Sequence, residues 1–320
     1  MKAKLQATHS LLGTALGDSL GLPSEGMSRS RIAKRWKGPL RQRFLFGRGM
    51  LSDDTEHSIL ASQALLLSGG DAAMFQKRLA GKLRWWFARL PAGVGLATAR
   101  AILKLWIGFP PGRNGVFSAG NGPAMRAPIL GVCFACDPER RADFVMASTR
   151  LTHTDPKAYE AAMMAAECAA FAVNGEKGHD VILSRIKQIA TSPEWKQPLQ
   201  QIEDSLTEQA SVAQFANAMG FWKGVSGYAV HTMTIVLFIW LRHRGDFETI
   251  IREAIACGGD TDSVAAIAGG IAGAETELAE RSSEQPEKPP GVAHWMLIPR
   301  NIIFFVTVLS HGLRRIFPPY

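Results

Sequence analysis

The chain has 320 residues, 47% hydrophobic and 20% charged, with 36 basic against 28 acidic side chains for a formal net charge of +8. At this length a folded chain buries about three quarters of the surface it exposes when unfolded, so a core needs no covalent staples. The composition excludes a disordered chain, a collagen and a coiled coil, and four cysteines are too few for a disulfide scaffold.

The chain opens with a helix expected near 5–20, in which Gly13, Gly17 and Gly21 recur four apart. Bare positions at that spacing let another helix axis approach closely. The apolar stretch after Lys2 and Lys4 is broken by Gly13, Gly17 and Asp18, so it does not read as a secretion signal. Arginines and lysines then crowd residues 29–48, with no acid before Asp53. That stretch reads as a solvated loop, or as an attractor for a phosphate, a pyrophosphate or another anion.

Helices follow near 54–68 and 71–90. The second starts on Asp71, carries Phe75, Leu79, Leu83, Trp86 and Phe87 at helical steps, and stops at Pro91. Others are expected near 95–107 and 138–150, and Asp155-Pro156 gives the cap-then-proline order for a helix ending at Asn174-Gly175. Cys133 and Cys136 read as buried small hydrophobes, since no redox or zinc pattern surrounds them. Helices near 178–190, 196–208, 246–257 and 262–278 complete the set. Thr232–Trp240, rich in β-branched residues, is read as a buried helix rather than a strand. Residues 282–290 read as a loop, and 279–320 as a C-terminal helical cap. The expectation is one all-α domain spanning 1–320.

The best apolar runs, 234–241 and 302–309, fall well short of the roughly 18 residues needed to cross a bilayer. A cytoplasmic protein, and a monomer, is expected. No nucleic-acid-binding module is apparent, so nucleic acid enters only as a modified substrate.

Two acidic turns carry the chemistry. Ser52-Asp53-Asp54-Thr55-Glu56 precedes one apolar helix, and Gly258-Gly259-Asp260-Thr261-Asp262-Ser263 precedes another. Asp53 with Glu56 fits a capping box, and Asp262 could cap its own helix. One oxygen would suffice for a cap, however, and each turn offers at least three. Clustered carboxylates are easier to explain beside cations. Carboxylates and hydroxyls select magnesium, manganese or calcium over zinc, and four aspartates are too many for one ion, which points to two.

These turns, with Gly13–Glu25 before them and Ser118–Arg126, Leu151–Asp155 and Gly224–Tyr228 between them, resemble the ADP-ribosylglycohydrolase family over about residues 8–278. The resemblance implies a compact helical fold around a binuclear magnesium or manganese centre. It implies Ser52, Asp53, Asp54, Asp260, Asp262 and Ser263 as ligands, with serine where family members commonly carry threonine. It matches Glu25 to a mobile-loop glutamate near the metals and gives catalytic roles to Glu25, Asp54 and Asp262. It places Ser118, Gly120, Asn121, Gly122, His153, Gly227, Tyr228 and Gly259 around an ADP-ribose cleft. The expected reaction is hydrolysis of the bond between ADP-ribose and an acceptor, foremost an arginine side chain of a protein. Other ADP-ribosyl or N-/O-glycoside substrates, and a non-catalytic ADP-ribose binder, are the alternatives.

Overall fold

The computed structural model describes residues 2–44, 49–91 and 93–275. In chain order the helices are α1 (Lys2–Gly21), α2 (Arg29–Arg35), α3 (Asp53–Leu66), α4 (Ala72–Phe87), α5 (Leu96–Trp106), α6 (Gly122–Met125), α7 (Pro128–Cys133) and α8 (Pro138–Thr149). They continue as α9 (Pro156–Asn174), α10 (His179–Ile189), α11 (Lys196–Thr207), α12 (Val212–Ala218), α13 (Ala229–Arg242), α14 (Phe247–Ala256) and α15 (Thr261–Glu275). Among the described residues there is no strand, only four isolated β-bridges between loops.

Local chemistry accounts for the boundaries. The Asp71 carboxylate accepts the N–H of Met74, and Asp155 accepts that of Lys157 ahead of Pro156. Gly175 ends α9 with a φ of 71°, a left-handed conformation that costs glycine little. The Thr232–Trp240 run lies inside α13. Its apolar residues show no face because α13 is buried on all sides from Ala229 to Leu241, save Tyr228 before it and His231 within it.

Three expectations need correction. Arg29–Arg35 is a helix rather than loop, and the Arg29 guanidinium is anchored on Asn217 Oδ1 (2.5 Å) and the Ala213 carbonyl (3.1 Å) of α12. The cap of α3 is Ser52, whose hydroxyl accepts the Asp54 N–H, rather than Asp53. Cys136 is exposed, although Cys133 is buried, with its thiol pushed up to about 12 by desolvation. The expected C-terminal cap, the 282–290 loop and the end of the 262–278 helix beyond Glu275 lie outside the described residues.

The glycines of α1 set the central packing. A Cβ on Gly13 would lie 2.1 Å from the Gly269 carbonyl oxygen, and one on Gly17 would lie 2.0 Å from that of Ala265. One on Gly21 would meet Thr261 O at 2.5 Å. Each four-residue step along α1 therefore matches a four-residue step back along α15. The helices run antiparallel with their backbones touching, and the C-terminal end of α1 meets the N-terminal end of α15. No helix of the described residues is long and apolar enough to cross a membrane.

Candidate active site

This pairing brings Asp18, near the end of α1, and the turn after it to the acidic start of α15. Glu25 sits in that turn, exposed, just after the 3-10 turn Leu22–Ser24. The turn is tied to the second acidic segment: Gly26 N–H donates to Gly259 O at 2.8 Å, and Gly259 N–H returns to Met27 O at 2.8 Å. Gly259 has a φ of 76°, and a Cβ there would fall 2.0 Å from Val225 O. Only glycine fits that position.

The other segments join by the same backbone contacts. Val225 accepts the Asp260 N–H at 2.8 Å, and Ala119 accepts that of Ala229 at 2.8 Å. Asn121 N–H donates to Gly227 O at 3.0 Å, while Gly120 bridges to Tyr228 and Val116 to His153. All six sequence segments thus converge at one end of the bundle. Ser118, Gly120, Asn121, Gly122 and Tyr228 are partly exposed there, and Gly227 is exposed.

The two acidic turns meet at one atom. The hydroxyls of Ser52 and Ser263 both donate to Asp54 Oδ2, each at 3.2 Å. The other oxygen, Asp54 Oδ1, is buried without a hydrogen-bond partner, and so is Asp262 Oδ1. Asp53 lies beside them, its Oδ1 3.4 Å from where a Gly93 side chain would begin.

Charge accumulates accordingly. Burial, then repulsion from Asp18, pushes the Asp53 carboxyl up to about 8. Burial, then Asp260, pushes Asp262 up to about 9, and Asp54 is raised well above its usual value by burial and then by Asp53. Glu25 is raised by partial desolvation and by Asp260. These carboxyl groups feel one another across two distant stretches of chain. An unpartnered buried carboxylate oxygen is costly unless something cationic satisfies it.

Among the described residues no group of three or more His, Cys, Asp or Glu side chains is placed to hold a metal ion as it stands. The donors nevertheless fit a hard cation in kind: oxygen atoms only, two of them buried and unsatisfied, with serine hydroxyls alongside.

Asp18 and Arg126 work here although the sequence did not single them out, and Asn121 and His153, which it did, have partners that only the fold reveals. Asp18 is buried and accepts the Ser52 N–H through both oxygens and the Thr55 hydroxyl at 2.5 Å. Asn121 Nδ2 donates to Asp260 Oδ2 at 2.7 Å and to Thr232 Oγ1 at 3.0 Å, so this side chain holds a carboxylate rather than standing free in the cleft. Arg126, fully buried, donates to Gly122 O, Ser148 Oγ and O, and Thr152 Oγ1 at 2.8–2.9 Å. His153 is only 2% exposed, under the glycine turn, with Nε2 2.9 Å from where a Gly120 Cβ would stand. Burial, then Arg126, drops its imidazole to about 3, so it is neutral. The signal for Asp18 was present as an acid inside a glycine-spaced apolar helix.

A model of the ADP-ribosylglycohydrolase family matches residues 2–280. The chain belongs to this family. It is a hydrolase of glycosyl bonds acting on ADP-ribosyl groups. It is 27% identical over 278 residues to the ADP-ribosyl-[dinitrogen reductase] glycohydrolase of Rhodospirillum rubrum, covering 84% of this chain and 85% of that one. It is 27% identical over 319 residues to the ADP-ribosylhydrolase ARH3 of Gallus gallus, covering 82% and 83%. An uncharacterized protein of Archaeoglobus fulgidus is 28% identical over 276 residues, covering 83% and 86%. Among solved structures, an ADP-ribosylglycohydrolase-related protein complex shares the fold, with a TM-score of 0.64 and 23% identity over 98% of both chains.

Proposed function

We propose that this ADP-ribosylglycohydrolase is a divalent-cation-dependent enzyme releasing ADP-ribose from a modified protein side chain, arginine foremost. The observation that carries the reading is the meeting of both acidic turns on Asp54, with one oxygen each of Asp54 and Asp262 buried and unpartnered. Ser52, Asp53, Asp54, Asp260, Asp262 and Ser263 would hold two magnesium or manganese ions through oxygen alone. Bound there, the cations supply positive charge and Lewis acidity to oxygen atoms of substrate and water. The Rhodospirillum relative is named for a modified protein, which favours a protein acceptor here.

The chain's own residues do the rest. Hydrolysis of such a bond passes through a sugar with positive charge at the anomeric carbon. In this reading Glu25, exposed beside the acidic turns, would take the proton of the attacking water. Its raised affinity for protons, from desolvation and Asp260, suits a base that must accept one. The water oxygen bonds to the anomeric carbon as the bond to the acceptor breaks, and the proton leaves with the acceptor. The bare turn Gly120–Gly122 lets the nucleotide approach the backbone, while Ser118, Gly227, Tyr228 and Gly259 border the same opening. His153 supports that turn from beneath as an uncharged ring.

The test is release of free ADP-ribose from arginine-, serine- and nucleic-acid-linked substrates, with manganese or with chelator. Rapid release from the arginine linkage, abolished by chelator and by Asp53→Ala with Asp262→Ala, is expected. Full activity in chelator would remove the cations from the reading. Preference for another linkage would move the acceptor and leave the reaction class intact.

A further inference from the structure

A second concave surface lies on the outer side of α3 and α4, with a volume of about 590 Å³. Its α4 wall is basic: Lys77, Arg78, Lys82, Arg84 and, just past the helix, Arg89. Arg78, Lys82 and Trp85 follow one another at steps of four and three, so they form a single stripe along the helix, with Arg89 just beyond its end. None of these five cations joins an ion pair among the described residues. The single acid in the lining, Glu56, accepts the indole N–H of Trp86 at 2.6 Å and feels the charge of Arg89 without a direct ion pair.

The stripe also presents an aromatic face. Trp85 is 67% exposed although it is among the largest apolar side chains, and it is backed edge-on by Trp106 at 5.6 Å. Lys82 Nζ is fixed to Gln63 Oε1 of α3 at 2.8 Å, which joins the two walls. Leu51 and Glu56 close one end, on either side of the Ser52–Asp54 turn.

We propose that this groove binds a single-stranded polynucleotide, with phosphates on the α4 cations and a base stacked on Trp85. Unpaired cations along a groove, interleaved with an exposed ring, are what strand binding without base-specific readout requires. An acidic peptide would be drawn by the charge but has no use for the exposed indole. A membrane surface is too flat to enter a channel between two helices. The groove meets the first acidic turn only at Glu56 and contains none of the proposed metal ligands, so the proposal stands or falls independently of the hydrolytic reading. An occupied groove would bring the strand to the edge of the Ser52–Asp54 turn.

The experiment is fluorescence anisotropy of the full chain with labelled RNA and DNA oligonucleotides of about a dozen nucleotides, across a salt series. Saturable binding is expected, and its logarithm should fall by about 0.7 per logarithmic unit of salt for each phosphate neutralised. Lys77→Glu with Arg78→Glu should weaken binding at least about tenfold and flatten the slope by about 1.4. Trp85→Ala should weaken it by roughly five- to a hundredfold, while Trp85→Phe retains most of it. Unchanged melting and ADP-ribose release in these surface variants would confirm that they fold. No saturable binding to either oligonucleotide would overturn the proposal, as would indifference to Trp85→Ala. Equally tight binding of polyglutamate or of phosphatidylserine vesicles would overturn it too, by making the groove a general anion or lipid surface.

Discussion

The carboxylate of Asp18 grips the backbone N–H of Ser52 with both oxygens, at 2.9 and 3.1 Å. It also accepts the N–H of Thr55 at 3.2 Å and the Thr55 hydroxyl. A buried residue of α1 thereby fixes the first turn of α3, on which Asp53 and Asp54 stand. Asp18→Asn keeps the size but turns an amide donor toward N–H groups. Hydrogen bonds to a charged acceptor contribute about 1.5–3 kcal/mol each, so a loss of about 2–4 kcal/mol is expected, with turnover lower by about a hundredfold. Urea midpoints and kcat in saturating manganese measure both. A variant with wild-type values in both would end the positioning role of Asp18.

The acidic cluster should weaken the metal-free protein as pH rises. Asp53 and Asp262 have folded values of about 8 and 9, above an ordinary 3.8. Each prefers to be protonated when folded, so its stabilising contribution is complete below about 3.8. That contribution is lost as pH climbs through 8 to 9. In chelator, therefore, the melting temperature should fall between pH 6 and pH 9, and manganese should restore it most at the alkaline end. Asp54→Asn removes one of the mutually repelling charges. It should raise the metal-free melting temperature by about 2–4 °C while abolishing turnover and shrinking the manganese shift. A lower melting temperature for Asp54→Asn in chelator at pH 8 would contradict the repulsion argument.

Asn121 separates holding a carboxylate from touching substrate. Its amide donates to Asp260 Oδ2, which a Gly227 side chain would also approach to 3.1 Å. Asn121→Asp replaces that donor with a second negative charge against Asp260. Turnover should drop by about a hundredfold and the manganese requirement should rise, with KM for ADP-ribosylated substrate altered much less. If KM rose instead, with the cation requirement unchanged, the side chain would be a substrate contact.

The long amphipathic helices were legible because each shows its apolar stripe and its cap within a few residues, as Asp71 and Asp155 do. Helices α2, α6, α7 and α12 are only four to seven residues long, too short for periodicity to register. The acidic turns were legible as dense local clusters. The hold of Asp18 on Ser52 and of Asn121 on Asp260 was not, because the partners lie far along the chain and only the fold brings them together. Cys136 was misread for a related reason: its neighbours are apolar, but it falls just past the end of α7, where the chain emerges to solvent.

The α1–α15 contact makes opposite predictions for two helical glycines. At Gly17 a methyl group would sit 2.0 Å from Ala265 O and 2.4 Å from its carbonyl carbon, both backbone atoms that cannot rotate away. Gly17→Ala must force the helices apart, and overpacking of this kind typically costs about 1–3 kcal/mol or more. Separation would also draw Asp18 and the Glu25 turn from the start of α15, so turnover should fall further than stability alone explains. At Gly81, within α4, nothing lies within 4 Å of the added carbon. There the backbone is helical, and exchanging glycine for alanine removes chain entropy from the unfolded state. Gly81→Ala should stabilise by about 0.5–1 kcal/mol with turnover unchanged. Denaturant titrations of the two variants under one buffer, alongside kcat, decide the matter. Equal effects at both positions would mean that backbone contact between α1 and α15 does not set the site.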